Sequence, residues 1–526
     1  MHCCLLIALS LFALAPLASK ELRPQATQET HSPEEVKLLS LFNSLDPLSI
    51  TQYLAFYELY PQTKLGEKAL RKAWVLLNGG QQIEGPGNLP FPKFDLQAII
   101  SLVTRQSFDP PAELSDDQLL LIEKLGETLA NRKLKGHAAW KEEEVIVLPS
   151  EEIDLARALL LSQFSDAKDP LASLRQYEAN LDLMALQIRA RLSAHPTPDE
   201  KIREINRFIF QEMQFRFPPH SLYAKDIDLY TFLPSVLDNR QGVCLGVSIL
   251  YLSLAQRLEL PLEIITPPGH IFLRCEKTEV PLNIETTARG IHLPDETYLG
   301  INTRKLERRT MREVIGLAFL NQASVFWGKE DYTTTVTLYE KAQRYLPDDK
   351  LLKMFLGLNY LFVGKKAQGK ELLKEVQNFT FDHEVSPDTI VDDYLRGKID
   401  AEGIKVVFLP VDENRASILE KQKKIQKVLS RYPQFRAGLL QLATTWLQLG
   451  RGSEALTTLQ RYHAVDPSSS IVEYYLSLVS LQRMDFLQAW DFLQRTEKIT
   501  AARDHHPKAL KGLRHQLKHQ CPEPRG

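Results

Sequence analysis

A cysteine, a histidine and a carboxylate fall in close succession between Asp238 and Gly290. The stretch reads DNRQGVCLGVSILYLSLAQRL, then PPGHIFLRC, then VPLNIETTARG. The three residues are Cys244, His270 and Glu285. Their order suits a thiol nucleophile, an imidazole that takes the thiol proton, and an acid that orients the imidazole. The chemistry open to such a set is attack on a carbonyl carbon.

The elements that must position them can be read from the pattern. Val247, Leu250, Tyr251, Leu254, Ala255 and Leu258 form one helical stripe, which predicts a helix buried on one side. Gly242 precedes it at a tight turn, and Pro261 lies beyond its end. Cys244 therefore sits in or near the first turn, where unpaired N–H groups and the helix dipole favour a thiolate. Leu262 to Thr266 reads as a short strand, broken by Pro267-Pro268-Gly269. His270 to Cys275 alternates, with His270, Phe272 and Arg274 on one face. Val280 to Glu285 alternates as well, with Pro281, Asn283 and Glu285 together on one face. The polar run Glu276 to Glu279 reads as a hairpin loop. Pairing Cys275 with Val280 sets Arg274 opposite Pro281, Phe272 opposite Asn283 and His270 opposite Glu285. That register selects Glu285 over Asn283 as the orienting acid. Cys275 faces Ile271 and Leu273 and reads as core. Arg240 is expected to hold its loop through backbone carbonyls, and His292 is given no role.

The segment resembles the transglutaminase-like superfamily, and within it the bacterial SirB1-like branch. The matching residues are Arg240-x-Gly242-x-Cys244-x-Gly246-x-Ser248, Pro268-Gly269-His270-x-Phe272-x-Arg274, and Asn283-Ile284-Glu285-x-Thr287 followed by Gly290. The resemblance extends upstream through Pro198-Asp199-Glu200-Lys201-Ile202 and spans roughly residues 165–300. It implies a papain-like core with a Cys–His–acid triad, carried here by Cys244, His270 and Glu285.

The chain has 526 residues, enough for about three domains. A net charge of −2 gives no electrostatic case for a nucleic-acid partner. There is no CxxC, no HExxH and no Walker-type or Rossmann glycine loop, so neither metal nor cofactor is expected. Of five cysteines, Cys3 and Cys4 lie in an apolar leader, leaving Cys244, Cys275 and Cys521. An odd, sparse set does not describe a disulfide framework.

The pattern divides the chain into seven segments: a signal peptide (1–19), a helical domain (20–164), the transglutaminase-like core (165–305), helical repeats (306–378), a linker or insertion (379–414), further repeats (415–505) and a basic tail (506–526). The helical domain shows helix starts at Ser32-Pro33-Glu34-Glu35 and periodic runs at Ala69–Leu77, Ser115–Asn131 and Glu151–Phe164, with a loop from Gly79 to Pro92. The repeat frames end at Pro347 and Pro467. Ala323, Phe326 and Ala342 mark the first; Leu356, Gly357, Tyr360 and Gly364 the next; Ala443, Trp446, Gly450, Ala455 and Leu459 the third; Leu476 and Ala489 the last. These frames resemble tetratricopeptide (TPR) repeats, which imply a protein or peptide partner on the array.

The expected fold is α+β and mostly helical: a papain/transglutaminase-like core of one helix on a small antiparallel sheet, with an α-helical repeat array. The expected function is thiol-dependent acyl transfer, or amide or peptide hydrolysis, by a Cys–His–Glu triad. The competing class is a non-catalytic scaffold built on a silent core and the repeats. The run from Cys3 to Ser19 is apolar, interrupted by Pro16 and ended by small residues, which implies an exported, periplasmic or secreted protein, with an uncleaved membrane anchor as the alternative. Protein from the native host is expected to begin between Pro16 and Lys20. N-terminal sequencing that reads Met1 on soluble protein would remove the export reading.

Overall fold

The computed structural model describes residues 33–79, 100, 113–164, 169–218, 227–412 and 414–523. The leader and most of the Gly79-to-Pro92 loop lie outside these residues. Met1–Leu45 and Asp46–Gly526 are separate compact units. The first contains the helix Pro33–Asn43, with Glu34 and Glu35 in its first turn, where the helix dipole favours them. Among the described residues no helix is long and apolar enough to cross a membrane.

The second unit opens with a hairpin of two helices, Ile50–Leu59 and Lys64–Leu77, capped by the side chains of Ser49 and Thr63. Gln187 ties this hairpin to the helix Pro170–Arg189, accepting from Ile50 N and donating to Leu48 O. Asp116–Gly126 starts at a reciprocal capping box between Ser115 and Gln118. Leu155–Phe164 and Pro170–Arg189 both pack directly on Cys244–Arg257.

That helix is buried all round. The expected stripe is there, but Leu245, Ile249, Leu252 and Ser253 on the other sides are buried too. The sheet and the helices of 155–189 both pack on it, a cover on several sides that a one-sided pattern cannot reveal. Arg257 ends the helix with a fully buried side chain. Its Nε donates to Asp182 Oδ1 at 2.8 Å, and its Nη1 to Ser253 O at 3.1 Å. Arg132 also pairs with Asp182. Beside this pair, Arg157 holds Glu178 at 2.9 Å, while His137 and Asn131 meet Asp154 at 3.2 and 2.9 Å.

His137, Asp154 and Glu178 converge closely enough to suggest a cation site. Three guanidiniums already balance the three carboxylates, so this donor set offers a cation no net negative charge. Burial pushes the Glu178 carboxyl up to about 7, partly offset by Arg157. Burial acts the same way on Asp154, but its His137 hydrogen bond and the Arg257 charge outweigh it and hold that carboxyl well below its ordinary range.

The sheet has four antiparallel strands in the order β3-β2-β1-β4: β1 Glu263–Thr266, β2 Phe272–Cys275, β3 Leu282–Ile284 and β4 Glu307–Arg309. The register corrects the sequence reading. Cys275 pairs with Leu282, not Val280, and Arg274 faces Asn283, not Pro281. The loop is longer than expected because Thr278 closes it, donating to Cys275 O and Val280 O. A shift of two residues preserves side-chain parity, so the same residues stay on the same face. β4 lies beyond the expected end of the core and pairs along β1.

Four helical pairs follow: Met311–Gly328 with Tyr332–Gln343, Lys350–Phe362 with Lys366–Glu375, Arg436–Gln448 with Gly452–Val465, and Ser470–Gln482 with Phe486–Ala501. Each turns through a left-handed residue at the same place: Glu330, Gly364, Gly450 and Met484. Residues 379–414 are no bare connector. They carry the helices Ile390–Leu395 and Ala401–Val407, and buried Asp393 accepts from Arg436 N, Nε and Nη2 at 2.8–3.0 Å. The basic tail forms the helix Lys508–Gln520, whose Leu510, Leu513 and Leu517 seal the last pair against Trp490 and Leu493.

Removing one partner of a desolvated pair leaves a buried charge, at a cost of about 3–5 kcal/mol. Asp182→Ala is therefore expected to lower stability by that order in thermal or urea unfolding. Asp491→Ala, at the exposed Arg495 pair, should cost less than about 1 kcal/mol. Equal effects would deny the central helix its electrostatic anchor.

Candidate active site

Cys244 owes its place to a tightly wound approach. The helix Leu233–Asn239 ends at Arg240, which takes the left-handed conformation at φ 50°. Its Nη1 reaches Met213 O at 3.5 Å, the carbonyl role expected of it. Arg216 N donates to Arg240 O, Gly242 N to Arg216 O, and Val243 N to Tyr230 O. A Cβ on Gly242 would stand 2.6 Å from Val247 Cγ2, and one on Gly246 2.2 Å from Tyr230 O. Both positions therefore require glycine for the helix to begin here. Cys244 is the first helical residue, partly exposed, and Val243 before it supplies no side-chain cap. Its backbone N–H belongs to the uncapped first turn.

His270 follows a tight turn. Gly269 has φ +71° and His270 N donates to Pro267 O at 3.1 Å, as a type II turn with proline and then glycine at its centre requires. The turn delivers the imidazole beside Cys244. His270 Nε2 donates to Glu285 Oε2 at 2.7 Å, which leaves Nδ1 for the thiol. All three residues singled out from sequence thus meet at one place. The meeting does not use the expected register, because Glu285 lies diagonally across from His270 rather than opposite it.

The Glu285 carboxylate is nearly saturated. Oε1 accepts from Thr287 N at 3.1 Å and Thr287 Oγ1 at 2.6 Å; Oε2 accepts from His270 and, at 2.6 Å, from Tyr298 OH. The Tyr298 ring also stacks on Phe272 at 4.4 Å and on His270 at 5.7 Å between centroids. Tyr298 was not legible in the sequence: it lies in a loop without periodicity, thirteen positions beyond Glu285. Asn283 is engaged elsewhere. Its Oδ1 accepts from Arg274 Nε, and its Nδ2 donates to Leu293 O and Asp295 Oδ1. His292 has a structural part after all, accepting from Asn283 N at 3.0 Å. Cys275 is fully buried, as read. Thr286 joins the site to the helix through Ser248 at 3.1 Å and Cys244 O at 3.4 Å.

The electrostatics favour an ion pair. Burial works against a charged His270, but the Cys244 and Glu285 hydrogen bonds and their charges raise it from 6.5 to about 9. Burial also opposes a charged Glu285, yet His270, Thr287 and Tyr298 bring it from 4.5 down to about 2. The raised histidine contributes stability that is complete below 6.5 and lost as pH climbs through 9. The depressed glutamate contributes above 4.5 and ceases to as pH falls through 2. Both partners are charged between those limits.

A cysteine at a helix start, an imidazole just ahead of β2 and a carboxylate just beyond β3 thus form one cluster. The comparisons identify the domain that carries this cluster. Residues 175–317 match the sequence profile of the transglutaminase-like superfamily, so the chain contains a transglutaminase-like domain. No curated protein matches the chain by sequence. Among solved structures, a thermophilic TPR protein of Thermus thermophilus aligns at 17% identity over 39% of this chain and 98% of its own, with a TM-score of 0.20. MamA aligns at 11% over 35% and 96%, TM-score 0.19. The TPR2AB domain of yeast Sti1, solved in a pHSP90 complex, aligns at 15% over 39% and 84%, TM-score 0.21. The TPR-like character of the array rests on its own helical pairs and their common turn.

Neutralising the orienter should release the imidazole. Glu285→Gln is expected to lower the His270 titration midpoint, read by NMR of labelled histidine, by about one to two pH units from its raised value. An unchanged midpoint would mean that the carboxylate does not sustain the imidazolium.

Proposed function

We propose that this protein is an exported thiol enzyme of the SirB1-like branch, acting on a peptide or amide carbonyl through Cys244, His270 and Glu285. The observation that carries the reading is the 2.7 Å bond from His270 Nε2 to Glu285, made while the same imidazole meets Cys244 at the head of a buried helix. The Cys244 thiol loses its proton to His270 Nδ1, and the sulfur forms a bond to the substrate carbonyl carbon. The imidazolium then protonates the departing amine as the C–N bond breaks, leaving a thioester. Water or a second amine, deprotonated by the same imidazole, attacks the thioester and restores the thiol. The Cys244 backbone N–H, free of any side-chain cap, is suited to receive the developing oxyanion. Glu285 keeps the imidazole in one tautomer and one plane. The helical pairs offer a surface for a protein or peptide partner, separate from the reacting atoms.

Activity-based labelling of the full chain tests this reading. A small electrophile such as iodoacetamide is expected to modify Cys244 ahead of Cys521, which is also partly exposed, and ahead of buried Cys275. His270→Ala should slow that modification by about tenfold or more, since it removes the base. Labelling of Cys521 with Cys244 inert would favour the scaffold reading, in which the core is silent and the repeats carry the function.

A further inference from the structure

The loop after β3 does more than close the sheet. It carries Asp295, which binds Arg274 and accepts from Asn283 Nδ2 at 2.8 Å, and then Tyr298, whose hydroxyl ends on Glu285 Oε2. Immediately beyond Tyr298 the same loop enters the C-terminal repeats. His505 Nε2 donates to Gly300 O at 2.7 Å, and His505 is 5% exposed. Ile301 packs on the apolar cluster of Trp490, Leu493 and Leu510. Asn302 is gripped through its backbone carbonyl and both polar atoms of its side chain. The carbonyl accepts from Val385 N, Oδ1 accepts from Ser386 N at 2.7 Å and Ser470 Oγ at 3.2 Å, and Nδ2 donates to Ser386 O at 3.2 Å. Arg304 reaches Asp382 O and Arg503 O. Within a few residues, one backbone thus joins the orienting carboxylate to the far end of the array.

We propose that Tyr298 is a positioning residue for the Cys244–His270–Glu285 site and that the C-terminal repeats hold it in place. The proposal rests on the reading of that site given above and adds what fixes it. Thr287 secures Oε1 from within the same short segment, so it cannot by itself set the direction of Oε2. Tyr298 does: its hydroxyl and His270 Nε2 share that oxygen, and its ring lies along the imidazole at 18°. The groups that face His270 are Cys244 from the helix, Glu285 from the end of β3 and Tyr298 from the loop. Asp295 stands behind Tyr298, already paired with Arg274. If the tyrosine moves, the carboxylate loses its aim and the imidazole its fixed plane. Because the loop is bound by groups from residues 382–386, 470 and 503–505, a change in the array is felt at the triad.

The test uses the full chain and needs no reactive thiol. Tyr298→Phe keeps the ring and withdraws the hydroxyl. Followed by NMR of 13C-labelled histidine, with His270→Gln to assign the signal, the His270 midpoint is expected to fall by about one pH unit. His505→Ala and Asn302→Ala remove no group of the site itself but loosen the loop that holds Tyr298, and each should lower the midpoint in the same direction. An unchanged midpoint in Tyr298→Phe overturns the positioning role. So does a rise, which would mean that the hydroxyl competes with the imidazole for Oε2. A fall in Tyr298→Phe with no change in both clamp variants overturns the part given to the repeats. An inert Cys244 in the labelling experiment would end the acyl-transfer reading, whereas the midpoint still decides the role of Tyr298.

Discussion

The fold turns on one helix that has no exposed side. Between Cys244 and Arg257 nearly every residue is buried, so the helix cannot slide or rotate without losing packing on all faces. Its two ends answer to different physics. At the C-terminal end the fully buried Arg257 is held by Asp182, a pairing whose desolvation cost offsets most of its attraction. Its value lies in register rather than in net stability: a fully buried guanidinium hydrogen-bonded to Asp182 and Ser253 O has one place to be. At the N-terminal end, glycines at 242 and 246 let backbone approach where any side chain would collide. The anchored end thereby sets the height of the other end, where Cys244 meets His270.

The acid is a glutamate, and the sheet register gives a reason. In the observed pairing Glu285 is diagonal to His270, and diagonal neighbours on a sheet are about 7–8 Å apart, against about 4.5–5.5 Å for opposed ones. The extra methylene of glutamate spans part of that difference. A longer side chain also has more freedom to lose, and the surrounding donors compensate for it. Thr287 takes one oxygen twice, and His270 and Tyr298 take the other. Four donors on one carboxylate fill its acceptor capacity and hold it ionised.

Much of this was legible in the sequence where one residue's type decided the matter. The thiol, the imidazole and the carboxylate declare themselves by chemistry, the turn at Pro267-Pro268-Gly269 by its backbone demands, and the repeat helices by their periodicity. What was missed depends on partners distant in sequence. The covering helices of 155–189 hid the buried back of the central helix. The two-residue register shift is the local exception: the Thr278 hydroxyl closes a longer loop that strand alternation alone cannot count. Strand β4, three residues rich in arginine, has no pattern of its own and exists because β1 offers it an edge. Tyr298 stands in the same class, since no local rule links a loop tyrosine to a carboxylate on the preceding strand.

The array adds a final constraint. Helical repeats are stabilised mainly by their nearest neighbours, so an end repeat can usually be lost without consequence for what lies beyond the other end. Here that independence is broken. Each pair turns through a left-handed residue at one fixed place, at Gly364 and Gly450 without steric cost and at Glu330 and Met484 with some. The common turn joins the two helices of each pair in the same way, and the ordered segment around Asp393 and Arg436 ties the array together across the break in the period. The far end of the array therefore returns to a defined position, where Ser470 and His505 grip the loop that leaves the sheet. A chain built of local helical pairs is in this way closed on its own core. The closure passes through the loop that bears Tyr298, so order in the repeats and order at the carboxylate are not separable.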